Sequence, residues 1–177
     1  MELYTKKEEC CGCGACAAAC PADAIYMAWD REGFLYPRVD EKKCIGCKKC
    51  EQVCPLKQDT GEEQEQLYLG VQAKEDAVRH ISSSGGIFPI LANYVFERQG
   101  VVFGAAYDKK MRVAHREAHN AAELERLKRT KYVQSNLRGV YRRVEAYLKK
   151  DRWVLFTGTP CQVQALRLYL GRSYDRL

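Results

Sequence analysis

Long apolar runs are missing from this sequence. Nothing among its 177 residues approaches the roughly 18 consecutive apolar residues that a membrane-spanning helix requires, so no membrane insertion is expected. The opening Met1-Glu-Leu-Tyr-Thr-Lys-Lys-Glu-Glu9 lacks the apolar core of a secretory signal, which points to a cytoplasmic protein. Histidine is scarce. His80, His115 and His119 stand in no cysteine or carboxylate pattern that suggests a metal site, and ordinary roles are expected for them. No recognised nucleic-acid-binding motif is present either. The net charge of +6 is uneven, with −1 over residues 1–60 and +7 over residues 61–177. A basic second half suits an anionic cofactor, an acidic redox partner, nucleic acid or simply a solvated helix face. The basic residues are spread over several helical stretches, so no nucleic-acid partner is expected.

Cysteine, by contrast, is abundant, with ten in the chain and nine of them between residues 10 and 54. In a reducing compartment such density reads as metal ligation rather than disulfide bonding. The cysteines form an internal repeat. Cys10-x2-Cys13-x2-Cys16-x3-Cys20-Pro21 matches Cys44-x2-Cys47-x2-Cys50-x3-Cys54-Pro55 position for position. Three cysteines at two-residue intervals can wrap three corners of one iron–sulfur cubane. The fourth lies beyond a short helical turn and faces away, and each proline stops the helix where the chain must turn. Gly12, Gly14 and Gly46 let the backbone close around sulfur, and Ile25, Ile45 and Val53 suit apolar walls. Zinc sites also use Cys-x2-Cys pairs. They require neither the third cysteine, nor the fourth before proline, nor the duplication. Cys11 stands outside the repeat, as a small buried residue or an alternative ligand to Cys10.

After the cysteines comes the polar stretch Lys57-Gln-Asp-Thr-Gly-Glu-Glu-Gln-Glu-Gln66, which reads as a linker. Beyond it the pattern alternates between strand and helix. Strands are predicted at 67–73, 100–107, 112–118 and 153–157, with Asp108-Lys-Lys110 as a hairpin turn. Helices are predicted at 87–99, 121–130, 137–150 and 162–170. Tyr141, Val144, Tyr147 and Leu148 form a core-like stripe on one of them.

The N-terminal segment 1–56 resembles bacterial-type two-cluster ferredoxins. In such proteins the fourth cysteine of each run ligates the other cluster. That rule assigns Cys10, Cys13, Cys16 and Cys54 to one [4Fe–4S] cluster, and Cys44, Cys47, Cys50 and Cys20 to the second.

The second half carries four further segments: Ser82-Ser-Ser-Gly-Gly-Ile-Phe88, Gly100-Val-Val-Phe-Gly-Ala-Ala106, Thr130-Lys-Tyr-Val-Gln-Ser135 and Phe156-Thr-Gly-Thr-Pro-Cys-Gln162. In this order they resemble the coenzyme F-420-reducing hydrogenase/dehydrogenase beta-subunit family. The resemblance implies an α+β chain: a two-cluster ferredoxin domain at 1–58, a linker at 59–66 and an α/β flavin-binding domain at 67–177. It also implies that the α/β domain is incomplete, because family members continue well beyond Leu177.

FAD is the implied second cofactor, with contacts from Ser83, Ser84, Gly85, Gly86, Lys131, Thr157, Gly158, Thr159, Pro160, Cys161 and Gln162. From the residues alone, Ser82–Gly86 reads equally as a phosphate-binding helix start or as a flexible connector with a serine cap. Thr159 fits the N-cap and Pro160 the first turn of a helix. Cys161 is then a thiol near a flavin or a small buried residue in a tight turn. Lys131 is a flavin contact or a surface lysine. The function implied is an iron–sulfur flavoprotein oxidoreductase, or a subunit of one, passing electrons between the clusters and FAD and on to a deazaflavin-type acceptor. The alternative is a non-catalytic electron carrier or docking subunit. Either reading calls for a redox partner protein or further oxidoreductase subunits.

Overall fold

The computed structural model describes residues 3–58 and 67–177. The linker expected at 59–66 lies outside the described residues. The first cysteine run leads into a short helix, α1 (Ala15–Ala19). Two strands, β1 (Ile25–Trp29) and β2 (Leu35–Val39), then pair antiparallel with Ile25 opposite Val39 and Trp29 opposite Leu35. The Asp30 carboxylate closes their turn by accepting the backbone N–H groups of Glu32 and Phe34 at 3.0 and 2.9 Å. The second cysteine run leads into α2 (Lys49–Gln52).

The repeat is conformational as well as chemical. Gly14 precedes α1 in the left-handed region at φ 77°, and Lys48, at the equivalent place in the second run, precedes α2 at φ 57°. Gly12 and Gly46 match in the same way, at φ 63° and 69°. Lysine carries a steric cost in this region that glycine avoids.

Past the second cysteine run, the chain forms α3 (Asp76–His80) and α4 (Ile87–Glu97). Strands β3 (Val101–Tyr107) and β4 (Val113–Ala118) form a hairpin, followed by the single turn α5 (Ala121–Leu124). The last elements are α6 (Val140–Lys149), β5 (Val154–Phe156) and α7 (Pro160–Leu170). The three strands make one sheet ordered β4-β3-β5, with β5 parallel to β3 and Phe156 opposite Phe103. Central β3 is buried along most of its length, which explains why its sequence is apolar without alternation. Ala92 and Val95 of α4 pack with Val102, Ala106, Ala118, Leu124 and Leu127 in the core beside this sheet.

Two expected elements differ. Residues 67–73 join no sheet among the described residues, and Leu67, Tyr68, Leu69 and Val71 are exposed. An apolar run makes a strand only where a ladder partner accepts its backbone groups. Here the backbone bond found is from Ala73 N–H to the Gly85 carbonyl. The helix expected at 121–130 ends at Leu124. Its start is well capped: the Asn120 side chain accepts the Glu123 N–H, and the Glu123 carboxylate accepts the His119 N–H, both at 2.9 Å. Beyond Leu124 the chain continues only as a turn, with the Leu127 and Lys128 N–H groups both on the Leu124 carbonyl, and Arg129 is left-handed at φ 67°.

The chain divides into two compact units. One comprises Met1–Thr60, Asn136–Glu145 and Gly158–Ser173; the other comprises Gly61–Ser135, Ala146–Thr157 and Tyr174–Leu177. Two later segments, 136–145 and 158–173, are thus grouped with the cysteine repeat.

Candidate functional site

Backbone amides turned toward sulfur shape the first cysteine loop. The Gly12, Ala15 and Ala17 amides favour the charged forms of the Cys10, Cys13 and Cys16 thiols in turn. The Cys16 thiol has those of Cys10, Cys54 and Cys50 as its charge neighbours, and Cys10 in turn has Cys54. The last cysteine of the second run therefore stands beside Cys10 and Cys16 of the first run. Burial pushes the Cys10 thiol up and that of Cys16 up to about 12, while hydrogen bonding to Cys11, followed by burial, raises that of Cys13. Ionising several such crowded thiols together requires cations among them.

The second group is a cavity. Cys20, Cys44, Cys47 and Cys50 line one space together with the apolar side chains of Leu3, Ile25, Val39 and Ile45. The Cys20 sulfur accepts the Ala24 N–H at 3.3 Å, and the Glu51 amide favours the charged form of the Cys50 thiol. Cys20 belongs to the first run in sequence and to the second run in space. Ile25 and Ile45, expected as walls, line this cavity, and Val53 is buried. Among the described residues, no three or more His, Cys, Asp or Glu side chains converge tightly enough to hold a single metal ion. The four ligands of a cubane stand apart, because each binds a different iron. The donor sets and their N–H groups therefore fit two [4Fe–4S] clusters.

Two side chains that support the loop were not singled out for it by sequence. The Tyr141 hydroxyl donates to the Cys13 carbonyl at 3.0 Å. Arg142 Nε donates to the Ala18 carbonyl at 3.0 Å, and its Nη2 pairs with Asp23 at 2.9 Å. Tyr141 reads as part of a core stripe, and Tyr141, Val144 and Leu148 are indeed buried. Its polar end gives no spacing signal. Cys11, expected as a small buried residue or an alternative ligand to Cys10, is exposed. The glycine-rich loop turns Cys13 inward and leaves Cys11 outside.

The expected flavin contacts fall into both units. In the second unit, Ser83 Oγ accepts the Thr130 N–H at 3.1 Å, which brings Ser82–Gly86 beside the segment that carries Lys131. A Cβ on Gly85 would lie 2.6 Å from the Val71 carbonyl oxygen, so this glycine is required by the chain's own backbone. Gly86 is the N-cap of α4 and makes no side-chain cap bond, and Ser84 is exposed. The Lys131 ammonium donates to the carbonyls of Arg126, Lys128 and Arg129, closing the turn after α5, and burial lowers its pKa. Thr157 donates to the Phe103 carbonyl through both its N–H and its hydroxyl, each at 3.0 Å.

The other expected contacts, Gly158 to Gln162, belong to the first unit. Thr159 caps α7 in a reciprocal box with Gln162, and Pro160 follows as its first residue, as the sequence suggested. Thr159 Oγ1 lies 3.1 Å from Cys161 Sγ.

His115 is the residue whose role the sequence left bland. Its ring is buried in the second unit, stacks on Phe156, and bonds Ser135 Oγ at 2.7 Å and the Thr157 carbonyl at 2.8 Å. A carbonyl only accepts, so Nε2 carries the proton and Nδ1 accepts the Ser135 hydroxyl. Burial holds the pKa of this histidine below its usual value.

Comparison with known families bears on the first of these sites. A 4Fe–4S dicluster domain matches residues 9–57, and a second 4Fe–4S dicluster domain model matches residues 36–84. The two overlap across the second cysteine run, and residues 58–84 hold no cysteine. No curated protein matches the chain. Neither matching model describes the coenzyme F-420-reducing family, and that resemblance rests on the four quoted segments. The N-terminal part of this chain thus carries iron–sulfur electron-carrier domains of the 4Fe–4S dicluster ferredoxin type.

Proposed function

We propose that the chain relays single electrons through two [4Fe–4S] clusters, one on Cys10, Cys13, Cys16 and Cys54, the other on Cys44, Cys47, Cys50 and Cys20. The observation that carries this reading is that Cys20 shares a cavity with Cys44, Cys47 and Cys50. Each cluster, when bound, takes up and returns one electron at a time. The protein's part is positional and electrostatic. Amides of Gly12, Ala15, Ala17, Ala24 and Glu51 aim at the ligating sulfurs and offset the charge that reduction adds. Leu3, Ile25 and Val39 limit water at the second site. Tyr141 and Arg142 hold the backbone of the first loop through the Cys13 and Ala18 carbonyls. The electron donor and acceptor are a redox partner protein or sister subunits.

The test is Cys20→Ala in anaerobically purified protein. Iron is expected to fall from about eight to about four per chain, since each cluster holds four. The remaining paramagnetic signal on reduction should match that of Cys47→Ala and differ from that of Cys13→Ala. A match to Cys13→Ala would sink the crossed assignment.

A second reading adds FAD, with its phosphate groups at the start of α4. It is favoured by the absence of a side-chain cap at that 11-residue helix, which leaves N–H groups for an anion, and by the family resemblance. Flavin released by acid from cluster-replete protein supports it. Cluster-replete protein that neither contains nor takes up FAD removes it and leaves the electron-carrier reading.

A further inference from the structure

Eight of the ten cysteines belong to the repeat, and the remaining two are Cys11 and Cys161. They stand near opposite ends of the sequence, yet their thiols are close neighbours within the first unit, each acting on the other's charge. The repeat itself does not call for Cys11: the matching position in the second run is Ile45. Cys161 lies in the first turn of α7, which Thr159, Gln162 and Pro160 define. α7 packs on α1, and its Tyr169 ring stacks on Tyr141, whose hydroxyl holds the Cys13 carbonyl. Cys11 is exposed, so solvent and reagents reach the pair. Cys13, a ligand in the reading above, is also a close neighbour of Cys11.

We propose that Cys11 and Cys161 are a redox-active dithiol–disulfide pair that exchanges electrons with the adjacent iron–sulfur clusters. The proposal rests on the cluster reading for its electron source. Reduction breaks the Cys11–Cys161 S–S bond. It consumes two electrons, delivered singly by two reduced [4Fe–4S] clusters, and two protons from solvent at the exposed side, and it leaves two thiols. Oxidation reverses each of these transfers. Two one-electron centres thereby match one two-electron group in the same unit, and the chain gains a means of passing an electron pair to a thiol or disulfide partner.

The experiment uses the full chain purified anaerobically with its clusters. One portion is oxidised with glutathione disulfide and a second is then reduced with dithionite. Iron and sulfide are counted in each. Both are denatured in iodoacetamide, digested without reductant and mapped by mass spectrometry. The expected result is a Cys161 peptide linked to the Cys11 peptide in the oxidised, iron-replete sample, with both residues alkylated after reduction. In Cys11→Ser the link should vanish while iron and sulfide stay at the wild-type level. Separate alkylation of Cys11 and Cys161 in oxidised, iron-replete protein overturns the pair and leaves the cluster reading intact. Loss of iron in Cys11→Ser or Cys161→Ser also overturns it, because that residue is then a ligand. Protein without acid-labile sulfide overturns the cluster reading, and with it the electron source of the pair.

Discussion

At Lys48 the second cysteine loop uses a residue that its backbone disfavours. The first loop has Gly14 at the same place, and both are left-handed. Exchanging the two choices should give effects of opposite sign. Lys48→Gly relieves about 1–2 kcal/mol of steric cost but gives back about 0.5–1 kcal/mol through the freer unfolded chain. A net gain of about 0.5 kcal/mol is expected in denaturant unfolding of the cluster-loaded protein. Gly14→Ala should lose about 1 kcal/mol. Equal signs for the two would mean that the loops are not conformational copies. His115 makes a second residue-scale test. Its folded pKa is lowered by burial, so between that value and the unfolded value of about 6.5 the unfolded chain binds more protons. The stability contributed by neutral His115 is present above about pH 6.5 and is lost as pH falls below it. His115→Gln should unfold more easily than wild type at pH 7.5, and the gap between the two should narrow toward pH 5. A gap that is constant or widens on acidification contradicts the buried neutral ring.

Among the elements, the sequence was most legible where a pattern has one physical solution. The continuous apolar run of β3 fits only a strand covered on both faces, and Phe103 within it is fully buried. Phe103→Ala should cost about 3–5 kcal/mol. A loss below about 1 kcal/mol would mean the strand is not central. The start of α7 was equally legible, because Thr159, Pro160 and Gln162 each occupy a place that helix ends prefer. The β1–β2 hairpin is hidden beneath the cysteine pattern, although Ile25-Tyr-Met-Ala-Trp29 and Leu35-Tyr-Pro-Arg-Val39 are of strand composition. Residues 67–73 mislead in the opposite direction. Their composition suits a strand, but strand formation depends on a partner that local sequence does not reveal.

For the whole molecule, the iron–sulfur domain could be read because its cysteine spacing is periodic and local. What could not be read is which distant segments stand beside it. Residues 136–145 and 158–173 belong with the cysteine repeat, and nothing in their spacing announces that Tyr141 would reach the Cys13 carbonyl or Cys161 the Cys11 thiol. The flavin expectation drew on the same kind of distant relation. Local geometry gives Gly85 and Lys131 other duties, against the Val71 carbonyl and the carbonyls after α5. Every role proposed for this chain depends on the pair of clusters, and elemental analysis of anaerobically purified protein decides whether both are held. About eight irons and eight acid-labile sulfides per chain are predicted, four of each per cluster. Zinc in place of iron, with no acid-labile sulfide, would contradict it.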